Sequence, residues 1–249
     1  MSGHSKWHSI KHKKGVADAR RGKRFTRIIK ELTVAARAGG GDPDSNPRLR
    51  TVIADAKAAN MPADNIKRAI RRGTGEEPGV AYEEITYEAY GPGGAALLIE
   101  VLTDNTNRAV SEIRHLLTKH GGHLGTTNSV AWMFDKCGSI VVEKPHVDEE
   151  ALMTAAIDAG ADDLREQEDC WEVVSAPEAY DAVLAAVRNL GVEPARAEVA
   201  MVPQSFVPLE GKPAGQMIKL LEVLEDNDDV QHVWSNVDIA AEAIEASLA

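Results

Sequence analysis

The fold is decided by residues 138–202, which read GSIVVEKPHVDEEALMTAAIDAGADDLREQEDCWEVVSAPEAYDAVLAAVRNLGVEPARAEVAMV. Short runs of alternating apolar residues predict strands here, and apolar residues at helical spacing predict helices between them. The predicted elements are, in chain order, a strand at 139–143, a helix at 148–159, strands at 163–168 and 171–175, a helix at 177–190 and a strand at 197–202. This βαββαβ order is typical of a ferredoxin-like α/β sandwich.

The segments on either side of this unit complete each other. Before it, the pattern predicts two strands joined by a glycine-rich turn, then a helix and a third strand; after it, one more helix and one more strand. These elements are predicted at 84–90, 95–102, 107–120, 130–134, 213–225 and 230–235. We therefore predict a split α+β domain, 79–135 plus 205–239, with 136–204 inserted in it and a helical tail at 240–249. Three domains in series is the competing arrangement.

Residues 1–78 are predicted to form a small helical domain. Its first helix begins near residue 17 and ends at the glycine run 39–41. The pair Asn46-Pro47 predicts the N-cap and first position of a second helix, and Gly73 is the predicted C-cap of a third. The predicted fold class is therefore α+β, with an N-terminal three-helix domain followed by two ferredoxin-like sandwich domains, one inserted in the other.

Charge is distributed very unequally along the chain. The formal net charge is −11, yet residues 1–72 hold 18 Lys and Arg against 6 Asp and Glu, while residues 73–249 hold 10 against 33. Asymmetry of this size predicts a polyanion-binding part attached to an acidic body. The alternative is a solvated basic face that serves only solubility.

The candidate nucleic-acid-binding residues lie in the basic part. Residues 1–15 show no apolar periodicity and are expected to form a flexible arm, whereas Lys23, Arg27 and Lys30 recur at helical spacing. The full candidate set is His4, Lys6, Trp7, His8, Lys11, His12, Lys13, Lys14, Arg20, Arg21, Lys23, Arg24, Arg27, Lys30, Arg48 and Arg50. Trp7 is the aromatic residue of the arm, and it either stacks on a base or packs on the helices.

Metal and cofactor chemistry is not predicted. His4, His8 and His12 lie four residues apart, so they would share one face of a helix, but no acid or Cys nearby completes a ligand set. The acids at 226, 228 and 229 resemble a fragment of a calcium loop without its glycine and closing Glu, and we predict a solvated turn there.

Catalysis is not predicted either, because no Ser-His-Asp or Cys-His arrangement can be assembled from the sequence. The three tryptophans in strand-like runs, Trp132, Trp171 and Trp234, are predicted to be core or interface residues. Cys137 and Cys170 are far apart and fit a reducing cytosol. No apolar run reaches the roughly 18 residues that a membrane span requires, so a cytoplasmic protein without a membrane partner is expected.

The ordered short motifs of the chain resemble those of the YebC family. The motifs are Gly3-His4-Ser5-Lys6-Trp7, Ile10-Lys11-His12-Lys13, Arg21-Gly22-Lys23 with Phe25-Thr26, Gly39-Gly40-Gly41-Asp42-Pro43, Asn46-Pro47-Arg48-Leu49-Arg50, Asn60-Met61-Pro62, Tyr87-Glu88-Ala89-Tyr90-Gly91-Pro92-Gly93-Gly94, Thr103-Asp104-Asn105-Thr106-Asn107-Arg108 and Gly121-Gly122-His123-Leu124-Gly125. The resemblance implies a helical N-terminal domain and two α+β domains. It also implies a transcriptional regulator that binds DNA, or a translation factor that acts at the ribosome on proline-rich stalls.

Three hypotheses follow for the function. The first is a non-enzymatic regulator that binds DNA through the basic N-terminal domain and contacts the transcription machinery through its acidic domains. The alternative is a ribosome-associated factor that binds rRNA or tRNA. The third, from another class, is a phosphodiester-cleaving enzyme that uses the three arm histidines as acid and base. Phosphate contacts position a protein without revealing which polymer it binds, so the basic charge alone does not choose among them.

Overall fold

The structure, a computed structural model, describes residues 17–167, 169–240 and 243–244. It begins with three helices, α1 (Ala17–Gly39), α2 (Pro47–Ala58) and α3 (Ala63–Thr74). Asn46 caps α2 as predicted, because its side chain accepts a hydrogen bond from the Leu49 backbone N–H at 3.1 Å. The apolar stripes of the three helices share one core that contains Leu32, Leu49 and Ala69.

The end of α3 differs from the prediction at Gly73. The C-cap is Gly75, whose φ of +84° is the left-handed conformation that favours glycine. Gly73 instead lies inside the helix where α3 crosses α1, and a Cβ there would lie 2.4 Å from the Thr33 carbonyl oxygen. Glycine at this position therefore permits close contact between two helices.

Two four-stranded antiparallel sheets follow. The first contains β1 (Glu83–Tyr90), β2 (Ala96–Thr103), β3 (His123–Leu124) and β9 (Val230–Ser235) in the order β3-β1-β2-β9, with α4 (Thr106–Lys119) and α7 (Gly211–Glu225) packed on it. The second contains β4 (Phe134–Glu143), β5 (Ala161–Glu166), β6 (Cys170–Ser175) and β7 (Arg196–Pro203) in the order β5-β6-β4-β7, with α5 (Glu149–Asp158) and α6 (Tyr180–Asn189) packed on it.

The second sheet has the strand order of a ferredoxin-like sandwich, and the first sheet reproduces that spatial arrangement with different connections. In the first sheet the helix α4 connects β2 to β3, so that β1 lies between them, and α7 precedes the edge strand β9. A short parallel pair, β8 (Val207–Pro208) with β10 (Val237–Asp238), was not predicted. The predicted α+β fold class is confirmed; the domain limits 1–78, 79–135 plus 205–239 and 136–204 stay a prediction.

The predicted strand at 130–134 is wrong. Residues Ala131–Met133 form a 3-10 turn, and β4 begins at Phe134 and is longer than predicted. The reason is Glu88, whose carboxylate accepts hydrogen bonds from the backbone N–H groups of Asn128, Val130 and Ala131 at 2.5, 2.7 and 2.8 Å. These amides are therefore unavailable to a strand ladder.

Trp132 on this turn is not a core residue, which is one of the two roles predicted for it. Its side chain is 65% exposed, whereas Trp171 and Trp234 are buried as expected. The indole N–H of Trp132 donates to the Ser129 carbonyl oxygen at 3.2 Å, which holds the ring at the surface. The exposed ring is thus anchored locally and contributes no core packing.

The two sheets contact each other through an apolar layer. Leu98 and Trp234 of the first sheet pack against Phe134 and Ala200 of the second. In the described part of the chain, no helix combines the length and the apolar composition that crossing a membrane demands. The predicted helical tail at 240–249 lies largely outside the described residues.

Candidate nucleic-acid interface

The basic face of α1 is where the sequence predicts phosphate contacts, and it is covered by a distant segment of the same chain. Residues 225–229, with the sequence EDNDD, follow from the last turn of α7 and are called the acidic segment below. Lys23 Nζ donates to the Asp226 carbonyl oxygen at 2.9 Å. Arg27 donates through Nη2 to the Glu225 carbonyl oxygen and, at 3.3 Å, to the Asn227 carbonyl oxygen.

Lys30 lies at the buried end of this contact. Its Nζ donates to the Asp228 carbonyl oxygen at 2.8 Å and forms an ion pair of 2.6 Å with Asp229 Oδ1. The side chains of Lys30 and Asp229 are only 8% and 6% exposed. The sequence predicts that Lys30 contacts phosphate, but in the structure its ammonium group binds oxygen atoms of Asp228 and Asp229.

Asp229 is the acceptor at the centre of a polar network. Besides Lys30, its carboxylate accepts from Thr103 Oγ1 at 2.9 Å and from Arg108 Nη2 at 2.8 Å. Arg108 also pairs with Asp104 at 2.7 Å. Burial alone would raise the pKa of Asp229, but the hydrogen bonds from Arg108, Lys30 and Thr103 outweigh it and hold the pKa below its ordinary value. The prediction of a solvated turn is wrong for Asp229.

Arg27 lies between Lys23 and Lys30 on α1, and its side chain is half-buried. Burial lowers the pKa of its guanidinium, although the nearby charges of Glu225, Asp226 and Asp228 act in the opposite direction. Its Nε has no hydrogen-bond partner among the described residues. Arg27 is therefore a charged group whose hydrogen-bonding capacity is only partly satisfied.

Arg48 is another predicted phosphate contact, and its guanidinium pairs with carboxylates of the protein itself. Its guanidinium pairs with Glu31 of α1 at 2.7 Å and with Glu84 of β1 at 2.9 Å, so it connects the helices to the first sheet. Burial acts to lower the pKa of Arg48, but the hydrogen bonds and charges of Glu84 and Glu31 outweigh it and raise the pKa.

Other cations of the helical domain remain exposed. Two of the predicted residues, Arg24 and Arg50, belong to this group, together with five that the prediction left out. The seven exposed cations without an ion pair among the described residues are Arg24, Arg37, Arg50, Lys57, Lys67, Arg68 and Arg72. Arg72 lies in the last turn of α3, where a cation interacts favourably with the helix dipole, so its position has a structural explanation that does not require nucleic acid.

The remaining predicted residues cannot be placed. His4, Lys6, Trp7, His8, Lys11, His12, Lys13 and Lys14 lie outside the described residues. Arg20 and Arg21 lie in the backbone of α1, but their side chains are outside the described part as well.

Two family models together match almost all of this architecture. The N-terminal domain of TACO1/YebC proteins matches residues 5–76, and the model of the TACO1/YebC second and third domain matches residues 82–237. The chain belongs to the TACO1/YebC family. The predicted resemblance is thereby confirmed.

Similar proteins support the membership in this family. A protein of Acidobacterium capsulatum is 63% identical over 96% of this chain and 97% of its own length, and one of Koribacter versatilis is 60% identical over 96% of each. Both are named "probable transcriptional regulatory protein". A crystal structure of a conserved hypothetical protein from Aquifex aeolicus has a TM-score of 0.80 at 45% identity and covers 90% of this chain and 92% of its own.

For this member of the TACO1/YebC family, the described residues contain no group of three or more His, Cys, Asp or Glu side chains that could hold a metal ion. The two thiols lie on separate strands, and burial raises the pKa of Cys137 to about 11 and raises that of Cys170. Neither thiol has the lowered pKa of a reactive cysteine. The three histidines considered as metal ligands, at 4, 8 and 12, lie outside the described part.

Proposed function

We propose that the chain is a non-enzymatic regulatory protein that binds DNA through its basic helical domain. The observation that carries the proposal is the set of exposed cations on α1, α2 and α3 that lack an ion pair within the described part of the chain. The acidic remainder repels a polyanion and confines its contact to this domain. The names of the relatives agree with a regulatory role.

The exposed cations suit contact with the phosphate backbone. Arg50 and Lys57 lie seven residues apart on α2, two helical turns, and Lys67 and Arg68 lie on the exposed surface of α3. Such side chains neutralise phosphates and release condensed counterions, which gives affinity without base recognition. We therefore expect DNA binding that tolerates different sequences.

The test is the salt dependence of binding to a fluorescent DNA duplex. If the domain neutralises six to eight phosphates, affinity should fall by about 10³-fold between roughly 50 and 200 mM salt. Changing Arg24→Ala together with Arg50→Ala should reduce the slope of log affinity against log salt by about 2. The matched control, Lys119→Ala with Lys212→Ala, removes the same charge from exposed positions outside the helical domain and should leave the slope unchanged.

A competing polymer is included in the same measurement. Single-stranded RNA of the same length is titrated under identical salt, and tighter binding of RNA than of duplex DNA would overturn the assignment of DNA. A flat salt response for both polymers would overturn the electrostatic basis of the proposal. Cleavage of either polymer by the wild-type chain would contradict the non-enzymatic role.

A further inference from the structure

The contact between α1 and the acidic segment has the chemistry of a phosphate site. Lys23, Arg27 and Lys30 lie four and three residues apart, so they form one row along the helix. Facing this row are the four consecutive carbonyl oxygens of residues 225–228 and the carboxylate of Asp229. A row of cations thus meets a row of oxygens, as it would along a nucleic-acid backbone.

The acidic segment is strongly negative for two independent reasons. It contains the carboxylates of Glu225, Asp226, Asp228 and Asp229. It also follows the C-terminal end of α7, where the helix macrodipole and the free carbonyl groups carry partial negative charge. The segment can therefore substitute for a polyanion on the basic face of α1.

The contact is graded from exposed to buried. At the outer end, the side chains of Lys23 and Asp226 are 44% and 55% exposed, and their charged atoms are 3.7 Å apart. At the inner end, Lys30 and Asp229 are almost fully buried. Exposed ion pairs contribute little to stability, whereas a buried charge that loses its partner is strongly unfavourable. The outer end can thus exchange its partner while the inner end stays closed.

Replacement of the acidic segment by a phosphate group would give Arg27 a stronger hydrogen-bond partner. In the closed arrangement its guanidinium donates to neutral carbonyl oxygens, and its Nε has no partner among the described residues. A phosphate group would offer a full charge and two oxygens to the planar guanidinium. Nucleic acid therefore interacts differently with the open and closed arrangements, which is what a ligand needs in order to shift an equilibrium.

We propose that the acidic segment is a built-in competitor for nucleic acid on the basic face of α1. Nucleic acid displaces it from Lys23 and Arg27, while the pair Lys30–Asp229 remains as the fixed end of the contact. The inference rests on the proposed function and describes how that binding face is regulated.

The first experiment measures the affinity for a DNA duplex at about 50 mM salt with Asp226→Asn and Asp228→Asn combined. Both side chains are exposed, and removal of their charges should tighten binding about tenfold. The control combines Asp158→Asn with Asp162→Asn. These two exposed acids lie on α5 and β5, away from α1, and their removal changes the net charge by the same amount. An equal gain in both variants would overturn competition, because net charge alone would then explain it.

The second experiment observes displacement directly. A carbodiimide should join Lys23 to Asp226 in the free protein, because Nζ and Oδ1 are 3.7 Å apart, and mass spectrometry quantifies this cross-link. Saturating DNA should reduce its yield several-fold, and an unchanged yield at saturation would overturn the proposal. Absence of DNA binding by both wild type and variant would overturn the proposed function, whereas binding with equal affinities would overturn the competition alone.

Discussion

Lys30 Nζ lies 2.6 Å from Asp229 Oδ1, and this buried pair joins α1 to a residue 199 positions later in the sequence. The pair has further hydrogen bonds, from Thr103 and Arg108 to the carboxylate and from Lys30 to the Leu102 carbonyl oxygen at 3.2 Å. Because both charges are removed from water, the network must be nearly complete to be tolerated. It connects α1 to the end of the inner strand β2 and to the residue that precedes β9.

The first prediction concerns loss of the buried acceptor. Asp229→Ala should lower the free energy of unfolding by about 3–5 kcal/mol, because Lys30 would keep a buried charge with only carbonyl oxygens as partners. Chemical denaturation followed by circular dichroism measures the change. The exposed partner Asp226 gives the control: Asp226→Ala should change stability by no more than about 1 kcal/mol. Equal small effects would show that the buried pair does not anchor α1.

The second prediction concerns acid. The pKa of Asp229 is lower in the folded protein than its ordinary value of 3.8, so its contribution to stability is fully present above that value. That contribution is lost as the pH falls through the lowered pKa of the folded state. The difference in melting temperature between wild type and Asp229→Asn should therefore be constant from about pH 7 to 5 and shrink below about pH 4. A difference that stays constant down to about pH 2 would contradict the lowered pKa.

Local patterns predicted the elements well, because helix caps and strand alternation depend on neighbouring residues. Asn46 and the glycine run at 39–41 illustrate this: the cap and the helix end lie where their chemistry places them. The partner of Lys30 could not be predicted in the same way. Helical spacing shows that the residue lies on a basic face, but it carries no information about which distant segment packs on that face.

The strand predicted at 130–134 is wrong for a related reason. The alternation of residues 130–134 favours a strand, and the competing interaction comes from Glu88, which lies 40 residues earlier than Asn128. Its carboxylate accepts hydrogen bonds from the amides of Val130 and Ala131, two that this strand would have used. Gly73 was likewise assigned to a helix end, because the close approach of Thr33 that requires glycine is visible only in three dimensions.

The third prediction concerns the loop that Glu88 organises. Glu88→Gln should lower the free energy of unfolding by about 2 kcal/mol, because hydrogen bonds to an ionised acceptor are stronger than those to an amide. The backbone amides of Asn128, Val130 and Ala131 should also exchange faster with deuterium. Glu83→Gln, on the same strand and exposed, is the control and should change neither measurement. Unchanged exchange at the three amides would show that the carboxylate does not order the loop.

The fourth prediction concerns the crossing of α1 and α3. Gly73→Ala should lower the free energy of unfolding by about 1–3 kcal/mol, because the added Cβ would meet the Thr33 carbonyl oxygen at 2.4 Å and the Ala36 Cβ at 2.7 Å. Gly22→Ala is the matched control: Gly22 lies in α1 with no atom of the described residues within 4 Å of an added Cβ, so the change should raise stability by about 0.5–1 kcal/mol. Thermal unfolding of the two variants measures both signs. A neutral Gly73→Ala would mean that the two helices can separate without loss, and the positions of the exposed cations on them would then not be fixed by this packing.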